Sequence, residues 1–324
     1  MAVERILVVR LSSMGDVIHT LPAVATLKHS FPGSHVTWLV RPRWMPLLEG
    51  NPFIDEVVPV ERTLAASWVV TGNLRRRHFD LAVDFQGLIQ TAMLAAAVRP
   101  QRLAGYSRAH ARERLAAWFY SAEIAVKAPH AVDRAMELSM GVGAANPLRV
   151  FPLPQGVAEG KLPEGKFVLA SPLAGWGAKQ WPLEHWSQLA KLLDYPLVLN
   201  GPPEAQAALD AVPGVLVHLS GMRGLIDATR RAHAVVGVDS GPMHLAAALN
   251  KPGAALFGPT DPSRHGPYGG SLRVVRLQNA ITSYQRTRQP AASMQLITPE
   301  MVAEAIRACL KEAATDSAPA GFPA

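Results

Sequence analysis

Three short segments of this 324-residue chain combine chemically able side chains with small residues that let a backbone approach a ligand. The first, Leu11-Ser12-Ser13-Met14-Gly15-Asp16-Val17-Ile18-His19, follows an apolar run and opens a helical pattern. Gly15 permits a sharp turn or close approach. Two roles are open to Asp16: a helix N-cap, worth about 1 kcal/mol, or a carboxylate base. The second segment, Ser171 to Pro182, contains Gly175, Gly177 and Lys179 ahead of Trp181-Pro182. Lys179 is either a solvated surface lysine or a point charge for a phosphate or leaving group. In the third, Val238-Asp239-Ser240-Gly241-Pro242-Met243-His244, a strand runs through a small-residue turn into an Ala-rich helix. A helix N-terminus offers unpaired N–H groups and about half a positive charge, which suits a diphosphate. Asp239 either receives sugar hydroxyls or holds the turn, and His244 either packs, is solvated or meets the ligand. A fourth segment, Gly258-Pro259-Thr260-Asp261-Pro262, reads as a rigid turn at the same edge. Neither a G-x-G-x-x-G fingerprint nor a P-loop occurs, which argues against hydride transfer and ordinary P-loop chemistry.

The elements that must position these residues alternate along the chain. Strands are expected over Arg5 to Leu11, His35 to Val40, Glu56 to Val60, Leu81 to Phe85 and Arg102 to Tyr106. In the second half they are expected over Phe167 to Ser171, Leu197 to Asn200, Leu216 to Leu219, Ala234 to Val238 and Ala254 to Phe257. Most are continuous apolar runs, as required of strands buried on both faces of a parallel sheet. Helical patterns separate them, which gives a doubly wound α/β architecture. Between Phe151 and Gly165 prolines and glycines crowd together as in a linker. The expected organisation is two α/β domains, 1–155 and 156–313, with a cleft between them and a tail over 314–324.

Hydrophobic residues make up 49% of the chain and charged ones 18%, a globular composition. The single cysteine, Cys309, excludes intramolecular disulfides and cysteine-cluster metal sites, and fits a reducing compartment. The opening apolar run is too short for a signal peptide, and none reaches the roughly 18 residues of a spanning helix. Net charge is +7, with 17 Lys plus Arg against 12 Asp plus Glu up to residue 150, and 15 against 13 beyond it. Residues 75–114 alone carry eight arginines against Asp80, Asp84 and Glu113. Such a bias attracts nucleic acid, an anionic membrane surface or a phosphorylated substrate, or is simply a solvated basic face.

Taken together, the segments resemble the ADP-heptose:lipopolysaccharide heptosyltransferases, glycosyltransferase family 9. The resemblance rests on Ser12-Ser13-Met14-Gly15-Asp16-Val17-Ile18-His19-Thr20-Leu21-Pro22, Asp84-Phe85-Gln86-Gly87-Leu88, Lys179-Gln180-Trp181-Pro182 with His185-Trp186, Val238 to Gly241 with His244-Leu245, and Gly258 to Pro262. Five motifs in family order span about Arg5 to Tyr268. The Ser-Ser-Met-Gly-Asp run is more similar to members adding the first heptose than to those adding the second.

The resemblance implies a GT-B fold, two Rossmann-like domains, and an inverting transfer that needs neither metal nor cofactor. It implies ADP-heptose bound by the C-terminal half and a Kdo sugar on lipid A bound by the N-terminal half. Asp16 would be the general base and Lys179 would offset charge on the departing diphosphate. Asp239 would hold heptose hydroxyls; Gly175, Ser240, Gly241 and His244 would lie near the diphosphate; Met222 and Glu204 would contact adenosine. Ser13, Gly15 and Gln86 would belong to the acceptor side. Arg75, Arg76, Arg77, Arg112 and His130 are the candidates there for the acceptor's anionic groups. The implied location is cytoplasmic, with peripheral electrostatic contact at the inner face of the inner membrane. In one place the chain departs from the family pattern: hydroxylated residues are expected shortly before the lysine, where Ala174, Gly175 and Trp176 stand. A later heptose, another nucleotide sugar, or sugar-nucleotide binding without catalysis are the alternatives. No recognition helix or aromatic stacking platform supports nucleic-acid binding.

Overall fold

The computed structural model describes residues 3–316, which divide into two compact units between Pro154 and Gln155. In the first unit, β1 (Arg5–Val9) is followed by α1 (Met14–Ser30), β2 (His35–Val40) and β3 (Glu56–Pro59). Then come α2 (Leu64–Arg75), β4 (Leu81–Asp84), α3 (Ile89–Ala97), β5 (Arg102–Tyr106), β6 (Ala122–Ile124) and α4 (Ala131–Gly141). All neighbouring strands are parallel, in the order β3-β2-β1-β4-β5-β6. The order reverses between β1 and β4, so a crevice opens beyond their carboxyl ends.

The second unit repeats the plan with β7 (Val168–Ser171), α5 (Leu183–Leu192), β8 (Leu197–Gly201), α6 (Gln206–Asp210), β9 (Leu216–Leu219) and α7 (Met222–Arg231). It continues with β10 (Ala234–Val238), α8 (Gly241–Ala248), β11 (Gly253–Leu256), α9 (Pro262–His265), β12 (Leu272–Val275), α10 (Ala292–Gln295) and α11 (Pro299–Asp316). Its order is β12-β11-β10-β7-β8-β9, which puts the reversal between β7 and β10. The family's GT-B architecture of two Rossmann-like units is therefore present in this chain.

The central strands form because their β-branched and apolar residues are buried on both faces: Ile6 to Val9, Val168 to Ala170 and Ala234 to Val236 are at most 2% exposed. Two edge strands were not expected, β6 and β12: no residue of β6 is fully buried, and exposed Arg273 and Val274 interrupt β12 between buried Leu272 and Val275. The first strand stops at Val9, short of Leu11, because Arg10 turns its charge to the loop that follows. The final helix runs on to Asp316, into the segment composition marks as a tail, and residues 317–324 lie outside the described ones. Among the described residues no helix is long and apolar enough to cross a membrane.

Candidate functional site

The carboxyl edge of the first sheet gathers the first two motifs at the β1/β4 reversal. Asp84, fully buried at the end of β4, accepts hydrogen bonds from the Gln86 amide at 2.8 Å, Thr91 Oγ1 at 2.9 Å and the Tyr120 hydroxyl at 2.8 Å. Burial pushes its carboxyl above the ordinary range against the pull of those donors, and pushes the Tyr106 hydroxyl up to about 12. Gln86, thus placed, turns its Oε1 back to accept from the amides of Leu11 at 2.7 Å and Ser12 at 3.3 Å. The Asp84-Phe85-Gln86 motif therefore braces the Ser12–Asp16 loop.

Asp16 is held at both oxygens. Arg10 Nη2 lies 2.6 Å from Oδ1, while the Ser13 amide donates to Oδ2 at 2.9 Å and the Ser13 hydroxyl at 3.0 Å. Arg10 Nη1 also donates to the Phe85 carbonyl, which ties the guanidinium to the β4 loop. The helix cap is therefore Ser13, not Asp16: Asp16 stands three residues on, with its carboxylate closing a capping box onto Ser13. Gly15 lies in the first helical turn and makes no sharp turn of its own.

The remaining first-unit candidates separate. His130 caps α4, its Nδ1 accepting from the Val132 amide at 3.2 Å, with its ring 5.4 Å from that of His19 on α1. Arg112 is exposed in the loop after β5, beside Gly87, where an added Cβ would come within 3.2 Å of the Arg112 amide. Both lie on the carboxyl edge. Arg75, Arg76 and Arg77 do not: they end α2 just before β4, and Arg77 pairs with Glu56 at the start of β3. They occupy the opposite, amino edge from Asp16, because charge counting carries no information about which end of a helix reaches which edge.

In the second unit the β7/β10 reversal brings Lys179 to Asp239, with Nζ 2.6 Å from Oδ2. Thr260 Oγ1 donates to the same Oδ2 at 2.7 Å, so the Gly258–Pro262 turn orients Asp239 as well as closing the edge. Lys179 sits in a short 3-10 turn that is anchored from behind by Trp181. That indole is 1% exposed, donates from Nε1 to the Ile297 carbonyl at 2.9 Å, and meets Trp186 edge-on at 4.9 Å. Burying such a ring contributes roughly 4 kcal/mol by area. The tryptophans of the lysine motif are thus structural, and they fix where the lysine points.

Ser240 caps α8 with extended backbone, Gly241 opens that helix, and His244 is buried within its first turn. Glu204 lies exposed in a 3-10 turn after β8, and Met222 opens α7 after β9, both on this carboxyl edge. Gly175 is exposed, with open space where a Cβ would be. The glycine that backbone approach does require is Gly177, where a Cβ would lie 1.9 Å from the Arg288 carbonyl oxygen. The hold of Arg10 on Asp16 and of Thr260 on Asp239 was not assigned from sequence, although Thr260 stood within the Gly258–Pro262 motif. Arg10 had a signal, as a charge interrupting an apolar strand; Thr260 gains its role only from a contact distant in sequence.

A parallel strand order with a reversal point in each of two Rossmann-like units is the fold of GT-B proteins. The glycosyltransferase family 9 (heptosyltransferase) model matches residues 68–294, and the chain belongs to that family. It is 34% identical over 298 residues to lipopolysaccharide heptosyltransferase 1 of Pseudomonas aeruginosa, covering 82% of each chain. It is 31% identical over 299 residues to the Escherichia coli K12 protein of that name, covering 84% of this chain and 93% of the relative. The structure of E. coli heptosyltransferase WaaC with ADP superposes with a TM-score of 0.76 at 28% identity, covering 94% of this chain and 99% of that one.

Proposed function

We propose that this glycosyltransferase moves heptose from ADP-heptose to a Kdo sugar of lipid A, inverting the anomeric configuration without a metal. The observation that carries the reading is the Lys179–Asp239 pair beside the α8 N-terminus, in a chain at least 30% identical to several heptosyltransferases 1. A solved relative is described with ADP-2-deoxy-2-fluoro heptose, and its fold covers 97% of this chain.

In the proposed reaction the acceptor hydroxyl oxygen bonds to the anomeric carbon as the bond from that carbon to the diphosphate oxygen breaks. Asp16 takes the hydroxyl proton, and ADP carries away the bonding electron pair. A positioned base contributes roughly 100-fold to 10,000-fold. Lys179 and the N–H groups at the start of α8 offset the charge that grows on the leaving diphosphate, work that a metal does elsewhere. Asp239 holds sugar hydroxyls, Ser240, Gly241 and His244 line the diphosphate, and Glu204 and Met222 meet adenosine. Acceptor contacts come from Ser13, Gly15, Arg112 and His130 on the first unit's carboxyl edge, with Gln86 supporting the loop.

Peripheral attachment to the inner face of the inner membrane belongs to the same proposal. Its support is one face of the first unit, where α2, α3 and the 3-10 turn Arg114–Phe119 pack side by side. Trp68, Met93, Leu115, Trp118 and Phe119 are exposed on these elements, and exposed Arg75, Arg76, Arg112 and Arg114 adjoin them in sequence. Exposed aromatic rings on a unit rich in arginine, with Arg108 5.8 Å from the Trp118 ring, suit an anionic bilayer surface, where each cation contributes about 1 kcal/mol. Mass spectrometry of products formed from ADP-heptose and Kdo-bearing lipid A tests the whole reading. The expected product is heavier by one heptose, released with ADP in the presence of EDTA; no such product overturns it.

A further inference from the structure

Lys179 by itself does not balance a bound diphosphate. Its ammonium is already neutralised by Asp239 at 2.6 Å, and both side chains are largely shielded from water, at 17% and 9% exposed. The residues preceding it, Ala174, Gly175 and Trp176, bring no hydroxyl to the edge. A nucleoside diphosphate is a polyanion, so a further cation close by would strengthen the hold of Lys179 and the α8 N–H groups on it.

The stretch between β12 and α10 supplies one. Residues 280–291 fold back as a strap over the turn that carries Lys179. Arg276 Nη2 donates to the Ala280 carbonyl at 2.9 Å, the Ser283 amide to Pro259 at 2.7 Å, the Ala178 amide to Thr287 at 3.2 Å, and the Ala291 amide to Ala178 at 3.1 Å. Gly177 admits the Arg288 carbonyl where any side chain would block it. The strap borders an open pocket of about 330 Å³ lined in part by Ala178, Pro259, Ser283 and Gln285. From it, the Arg286 guanidinium carbon sits 5.0 Å from the Trp176 ring centroid, the ring that also carries Lys179 Nζ at 4.4 Å. Arg286 is exposed and forms no ion pair with a carboxylate among the described residues.

We propose that Arg286 is a donor-site cation that grips the diphosphate of the nucleotide sugar, with the Trp176 ring, which Lys179 also contacts, as its platform. This inference rests on the donor reading above. Guanidinium binds phosphate through two parallel N–H bonds, which an ammonium does not reproduce, and the indole face steadies it through cation–π attraction. Arg286 thereby takes over the job that hydroxyl side chains before the lysine would do.

Calorimetry with ADP and AMP on the full-length protein tests it. For Arg286→Ala we expect ADP affinity to fall at least about 10-fold, AMP affinity to change less than threefold, and the thermal midpoint to stay put. Arg286→Lys is expected to recover part of the ADP affinity, and Arg273→Ala, on β12 and away from the strap, none of the loss. Unaltered ADP binding in Arg286→Ala beside tight wild-type binding overturns the inference alone, as does an equal loss for AMP. Wild-type protein that does not bind ADP overturns the donor reading, and this inference with it.

Discussion

Lys179 Nζ and Asp239 Oδ2 meet at 2.6 Å across the reversal point of the second sheet, and Thr260 Oγ1 donates to the same oxygen. One comes from the turn after β7, the other from the end of β10, two strands adjacent in space and more than fifty residues apart in sequence. The pairing needs both strands in register, so it reports on the fold and the chemistry together.

Removing the lysine leaves a shielded carboxylate to which Thr260 still donates. Lys179→Ala should therefore destabilise the protein by about 1–3 kcal/mol and slow transfer roughly 100-fold or more. Adding Asp239→Asn to it should cost less stability than the two single changes summed, which denaturant titration of the four-member cycle measures. Additive losses would mean the pair is not coupled.

Asp16→Asn keeps an oxygen for the Ser13 amide, and so the helix start, but turns an NH2 toward the Arg10 guanidinium, so it should cost about 1–3 kcal/mol of stability. The same change deletes the proton acceptor. Transfer should drop by roughly 100-fold to 10,000-fold while ADP binding stays intact. Wild-type turnover in this variant would remove Asp16 from the reaction.

Acid should loosen the second unit before carboxylates titrate. Burial lowers the His218 pKa from 6.5, and burial with Lys166 and Lys251 does the same for His233. The folded chain binds fewer protons than the unfolded chain as pH falls through 6.5, so stability present at neutral pH declines below it. Thermal midpoints at pH 7.5 and 5.5 should differ in that direction, and His218→Asn should shrink the difference. A pH-independent midpoint over that window would contradict the assignment.

Attachment to lipid should depend on the exposed rings of the first unit. Trp68→Ser with Trp118→Ser should weaken co-sedimentation with vesicles containing anionic lipid several-fold, while activity on a soluble truncated acceptor persists. Equal binding to neutral and anionic vesicles would show that arginines play no part in it.

The parallel cores of both units were legible because strands buried on two faces must be written as apolar runs, as in Ile6-Leu7-Val8-Val9 and Ala234-Val235-Val236. β12 was not, since Arg273 and Val274 face outward in its middle. Asp16 and Ser13 are both good capping types, and only the traced hydrogen bonds decide that Ser13 caps while Asp16 answers from the third helical position. The eight arginines of residues 75–114 read as one basic region, yet α2 delivers Arg77 to Glu56 on the far edge. Asp84, Lys179 and Asp239 were marked by motif. The reach of the strap to Trp176 was invisible, because a contact across more than a hundred residues leaves no local pattern.

Ala178, 3% exposed, spends its N–H on Thr287 and its carbonyl on Ala291. Deleting the excursion between β12 and α10 would strand an N–H and a carbonyl of two adjoining peptides away from water, at about 1–3 kcal/mol for each orphaned group. Loop-trimming in this enzyme is consequently not a surface edit: any shortened version has to deliver substitute acceptor and donor atoms to that one alanine, or forfeit the placement of the lysine next to it.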